Sequence, residues 1–131
     1  MRMKCSQSGS VLLVVVVLVA LLAATVMGHL QVNADEIQLM QNHLHGAQAM
    51  AIAEAGLNDA LSRLRSDSSW HDGLADRPLG DGAYTVSVDG STITSTATTS
   101  RGFAVRLEAD VTVAEDGPPY VVRIDELRIN P

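Results

Sequence analysis

The sequence predicts an α+β protein: a long N-terminal helix, membrane-spanning in its first half, packed on a small antiparallel four-stranded sheet. Three observations predict it. Val11–Met27 is an uncharged apolar run, a helix-favouring stretch without proline follows it, and alternating strand patterns fill the last 50 residues.

The apolar run reads VLLVVVVLVALLAATVM, with Thr25 its only polar residue. Extended to residues 10–30 it holds 21 residues, about 31 Å of helix against a hydrocarbon core of about 30 Å. Arg2 and Lys4 precede it, and all 15 acidic residues follow Ala34. Basic flanks stay in the cytoplasm, so the N-terminus is expected there and the acidic part outside. A cleaved secretory signal is the rival reading, with small residues before cuts after Gly28 or Ala34.

Beyond the membrane, residues 31–65 are expected to continue the helix. No proline occurs between Gly28 and Pro78, and alanine is abundant from Ala47 to Ala60. Leu30, Ile37, Met40, Leu44, Ala47 and Ala51 recur at heptad-like spacing. Met50, Leu57, Leu61 and Leu64 are read as continuing that seam on nearly the same face, with Leu57, Leu61 and Leu64 the nearest cover for a sheet. Glu54 falls inside the seam. Its two readings are a carboxylate held in water along the seam's edge, and an ion pair between subunits or between helix and sheet.

Residues 66–131 are expected to form a loop followed by the sheet. Residues 66–82 carry acids, glycines and Pro78 and read as loop. Tyr84–Val88 alternates, Asp89-Gly90 signals a hairpin, and Thr92–Thr98 returns. Phe103–Val113 alternates through eleven residues. Tyr120–Ile129 alternates with a phase slip at Asp125-Glu126, the mark of a β-bulge or the end of pairing.

Composition narrows the function. Aromatics are 3% of the chain, and beyond the apolar run seven Arg face 15 acids, a net of −8. Such a surface repels phosphate, so no nucleic-acid partner is expected. A lone Cys5 allows no internal disulfide and no cysteine-rich metal site. His43 and His45 are two residues apart, about 200° around a helix, and cannot share a metal. His29 reads as an interfacial polar residue. Asp67, Asp72, Asp76 and Asp81 match no EF-hand spacing and read as a solvated acidic loop, with calcium the alternative. No G-x-S-x-G or S-x-x-K occurs. An enzyme, a cofactor and a small-molecule substrate are therefore not expected.

Gln7-Ser8-Gly9 followed by Ser10-Val11-Leu12-Leu13-Val14 resembles a class III prepilin leader. AMAIAEAGLNDALSRL, residues 49–64, resembles the A-E-A-G-L stretch of type IV minor pilins and of K-type minor pseudopilins of type II secretion. Gly82–Val88, GAYTVSV, is similar to the first strand of that family's sheet. The resemblance implies a pilin-like fold and a leader at residues 1–9 cut between Gly9 and Ser10 by prepilin peptidase. It further implies N-methylation of Ser10. It implies an inner-membrane, single-pass protein with a periplasmic C-terminal domain, built by an inner-membrane assembly platform into an extracytoplasmic filament of pilins or pseudopilins.

Major pilins of the family carry Glu at the fifth mature position, where it meets a neighbour's N-terminal amine. Here that position is Val14. K-type pseudopilins and X-type minor pilins likewise lack the acid. K-type members carry a large helical insertion in the sheet, for which this chain has no room, so the X-type minor pilin, or a reduced pseudopilin, is the nearer likeness. The implied role is to initiate or cap a type IV pilus or type II secretion pseudopilus. Two other classes stay open on the residues alone: a membrane-anchored binding domain on a helical stalk, and a secreted β-domain.

Overall fold

The computed structural model describes the backbone of residues 4–130 and the side chains of residues 8–130. Arg2, in the basic leader, lies outside the described residues. The chain divides after Gln41 into two compact units.

A single helix, α1, runs from Lys4 to Ser66. It takes in the apolar run and the alanine-rich stretch, and no proline interrupts it. Arg63 and Arg65 occupy its last turn, where positive charge complements the carbonyl end of the helix dipole. Two of the carbonyls orphaned there find donors: Asp67 N–H bonds Arg63 O at 2.8 Å and Tyr120 N–H bonds Arg65 O at 2.8 Å. Asp67 then closes a tight turn, accepting from Ser69 N–H (2.9 Å) and from Ser69 Oγ (2.6 Å). These bonds favour the ionised carboxylate and hold the Asp67 carboxyl below its usual range.

Five strands follow: β1 (Leu74–Leu79), β2 (Gly82–Asp89), β3 (Thr92–Thr99), β4 (Ala104–Val113) and β5 (Val122–Ile129). They form one antiparallel sheet in sequence order, a meander. The turn between β2 and β3 is Gly90-Ser91, with Gly90 at φ 59°. A β-carbon disfavours that conformation, which is why the Asp89-Gly90 signal works.

The fifth strand corrects the expectation of four. β1 lies in the stretch read as loop, and the reason is physical. Only Leu74 of its six residues is buried, so no apolar alternation marks it. Its pairing with β2 skips between Leu74 and Arg77, where Asp76 adopts φ 43° and Thr85 Oγ1 accepts from Asp76 N–H at 3.2 Å. Pro78, which has no N–H to donate, is tolerated because β1 is an edge. On the opposite edge the phase slip is a bulge. Asp110 pairs with Glu126 and Val111 with Ile124, which leaves Asp125 as the extra residue.

One sheet face carries the core. Val86, Ile93, Ala97, Leu107, Ala109 and Val111 are buried there beneath Ile52, Ala53, Leu57, Ala60 and Leu64 of α1. The other face is hydroxyl-rich and charged. Arg128 bridges Glu108 at 2.7 Å, Asp110 at 3.0 Å and Glu126 at 3.3 Å. This clustering of acids holds the Arg128 guanidinium further toward its charged form, chiefly through the bond to Glu108.

Candidate functional site

The candidate site has two parts on α1: the apolar stretch with the leader junction, and the face that meets the sheet.

Gly9, Ser10 and Val14 are helical and exposed, and a β-carbon on Gly9 would meet nothing within 4 Å. From Val11 to Val32 the large apolar side chains are exposed along the helix, enough to cross a membrane by length and composition. Thr25 and His29, within this stretch, are turned back on the helix itself. Thr25 Oγ1 donates to Leu21 O at 2.7 Å, and His29 Nδ1 lies 2.8 Å from Thr25 O, the geometry of an Nδ1–H donor. Such back-bonding lets a hydroxyl sit in lipid without an unsatisfied donor.

The sheet-facing part is built around Gly56. A β-carbon there would stand 2.5 Å from Ser95 Oγ and 2.8 to 3.0 Å from the Tyr84 ring. Glycine therefore sets the approach of helix to sheet. Ser95, fully buried on β3, donates its hydroxyl to Ala53 O at 2.8 Å. Tyr84, on β2, donates its hydroxyl to Asp59 Oδ2 at 2.9 Å. Asp59 also pairs with Arg63 at 3.5 Å, and the Arg63 guanidinium lies 5.8 Å from the centre of the Trp70 ring. Burial, and then the bond to Asp59, push the Tyr84 phenol up from its ordinary value, while Arg77 and Arg63 pull the other way. These contacts fasten α1 to the sheet at Ala53, Gly56 and Asp59, all within or next to the A-E-A-G-L segment.

The single seam read from the sequence is two faces. Leu57 and Leu64 are buried against the sheet and Leu61 is half-buried. Ala51 is exposed, as are Ile37, Met40, Leu44 and Ala47. The reason is rotational. At about 100° per residue, Leu44 stands about 180° from Ala53, and Ala51 about 120° from Leu57. Beside the expected Leu57 and Leu64, the residues buried on this side of α1 are Ala49, Ile52, Ala53, Gly56 and Ala60. Small residues at four of these places, Ala49, Ala53, Gly56 and Ala60, are the signal that a search for large apolar side chains misses.

Glu54 is exposed, and among the described residues it has no hydrogen bond or ion pair within the chain. His45 Nδ1 lies 3.1 Å from Gln48 Oε1, and its ring is 5.5 Å from that of Phe103. Among the described residues no three His, Cys, Asp or Glu side chains group as a metal site. The four aspartates read as one acidic loop are dispersed: Asp67 in the turn after α1, Asp76 in the β1 bulge, Asp81 in the β1–β2 turn, and Asp72 between.

Comparison with protein-family models, curated proteins and solved structures returned no match for this chain.

Proposed function

We propose that the protein is a minor pilin or minor pseudopilin, a structural subunit that initiates or caps a type IV pilus or type II secretion pseudopilus. One observation carries the reading. A single helix, Lys4–Ser66, joins an exposed apolar stretch long enough to span a bilayer to a face, Ala49–Leu64, that packs on a small antiparallel sheet. A subunit of this kind is held in the inner membrane with its sheet in the periplasm. It then leaves the membrane when its apolar helix exchanges lipid for the helices of its neighbours. The exchange costs little, because lipid tails and leucines are equally apolar. Ser10, Val14 and the exposed Ile37, Leu44 and Ala51 are the positions that would meet other subunits, and Glu54 lies beside them. Prepilin peptidase and the inner-membrane assembly platform are the partners the reading requires.

The decisive test is the mature N-terminus. Mass spectrometry of the protein from cells carrying a prepilin peptidase should find N-methylated Ser10, and Gly9→Leu should leave the chain beginning at Met1. An unprocessed wild-type chain supports the anchored stalk instead. A start at His29 or Asp35 supports a secreted domain.

A further inference from the structure

α1 carries three charged or titratable side chains that the rest of the chain leaves unused. His43, Glu54 and Arg65 are exposed, and among the described residues their side chains have no hydrogen bond or ion pair. They follow one another at intervals of 11 residues. Eleven residues make three turns and about 16.5 Å of rise, so the three lie within about 40° of one another along one line of the helix.

That line overlooks an uncovered part of the sheet. Ile52 and Asp59 look toward Gly82 and Tyr84 of β2. Glu54 is about 140–160° round the helix from both, and so lies on the opposite flank, toward β4 and β5, beside the half-buried Met50 and Leu61. On that flank Ile124, Leu127 and Ile129 pair with Val111, Ala109 and Leu107 and share their face. The β4 residues are 6%, 0% and 0% exposed, whereas Ile124, Leu127 and Ile129 are 42%, 49% and 55% exposed. An apolar shelf therefore runs alongside α1. It starts level with Ala53, which bonds Ser95, the neighbour of Leu107 and so of Ile129. It ends near the level of Leu64, whose cluster holds Val111, the neighbour of Ile124.

We propose that this shelf seats α1 of a second copy of this chain, parallel to the first and displaced along it by 11 residues, about 16.5 Å away from the membrane. The displacement rests on the filament reading above, in which a subunit leaves the membrane. It sets His43 of the partner copy level with Glu54, and Glu54 of the partner copy level with Arg65. In register, Glu54 would meet Glu54 and Arg65 would meet Arg65. Leu44 and Ala51 of the partner copy, both exposed, lie about 60–80° round from its Glu54 and turn down onto the shelf, Leu44 toward Leu127 and Ala51 toward Ile124. The row by which the partner copy holds its own sheet, at Gly56 and Ala60, lies about 120–160° round the other way, so that sheet points clear. Two surfaces that each copy leaves bare thus cover one another, and charge fixes the register.

The test is made on filaments sheared from cells that express two differently tagged copies in a Cys5→Ser background. Ala47→Cys in one copy and Asn58→Cys in the other, 11 residues apart, should form a disulfide joining the two tags, and two copies both carrying Ala47→Cys should not. Glu54→Arg should lower the yield of joined tags roughly tenfold by setting like charges level with one another, and adding Arg65→Glu should recover it. Unchanged Trp70 emission in each purified variant shows that the domain has folded. N-methylated Ser10 in the same filaments separates the two ideas: an unmethylated chain overturns the filament reading and this contact with it. With Ser10 methylated, the contact alone is overturned by absent crosslinks, by equal crosslinking of Ala47→Cys with itself, or by a charge swap that fails to recover. A disulfide from Asn58→Cys to a protein of different mass also overturns it.

Discussion

Gly56→Ala puts one methyl group where the helix and the sheet come closest. In an open helix the change would stabilise, because glycine costs about 1 kcal/mol relative to alanine. Here the new carbon would stand 2.5 Å from Ser95 Oγ and 2.8 to 3.0 Å from the Tyr84 ring, so something must move. Neither neighbour is free to. Ser95 is fully buried and bonded to Ala53 O, and Tyr84 is tied through its hydroxyl to Asp59. Overpacking of a core costs about 1–3 kcal/mol, and a buried hydroxyl parted from its acceptor about 1–3 kcal/mol more. Against a gain of about 1 kcal/mol, the net loss is about 3 kcal/mol, or roughly 12–24 °C in melting temperature for a domain of this size. Gly46 supplies a control of opposite sign. It lies in the same helix with nothing within 4 Å of the added carbon, so Gly46→Ala should raise stability by up to about 1 kcal/mol. Unfolding of the full chain in detergent, followed through its single tryptophan, Trp70, reads both. If Gly56→Ala is as stable as wild type, the helix does not pack on the sheet at this distance and the junction described above is wrong.

Leu57→Ala should destabilise the domain by about 2–5 kcal/mol, since Leu57 is 5% exposed in the core, whereas Leu44→Ala should change the same unfolding curve by less than about 0.5 kcal/mol. Tyr84→Phe should flatten stability at alkaline pH. The folded state raises the phenol's pKa, so its contribution is complete below the unfolded value near 10 and is lost as pH rises through the folded one. Stability measured by denaturation between pH 8 and 11 should therefore fall more steeply with pH for wild type than for the variant, and parallel curves would count against it. On the pilin reading, Val14 leaves this subunit without a carboxylate to pair with a neighbour's amine, so immunolabelling of filaments should find at most a few copies near one end. Even labelling along the shaft would exclude a tip or initiator role.

Much of the architecture was legible because it rests on periodicity. β2, β3, β4 and β5 alternate, and even the bulge at Asp125 shows as a change of phase. β1 was not legible, because an edge strand that buries only Leu74 needs no apolar alternation and can hold a proline. The helix was legible in extent but not in rotation. Heptad spacing of large apolar residues led to Leu44 and Ala51, while the sheet meets the row containing Ala49, Ala53, Gly56 and Ala60. Small residues carry little hydrophobic signal and matter through how near they let another backbone come. The pairing of Tyr84 with Asp59 joins residues 25 apart and has no local signature, although GAYTVSV and A-E-A-G-L each contain or adjoin one of its members.

The meander also dictates an order of events. Each strand pairs with the one made just before or after it, so the sheet can assemble by short loop closures as the chain emerges. The helix is made first and its cover last: the bond from Ser95 to Ala53 spans 42 residues, and the one from Tyr120 to Arg65 waits for the loop before the final strand. Between those moments the Ala49–Leu64 row stands in water without a sheet, in a chain whose preceding segment is more apolar still. A newly made copy thus passes through an interval in which it can be captured by any other uncovered helix, and that interval ends only when β3 and β4 have been delivered.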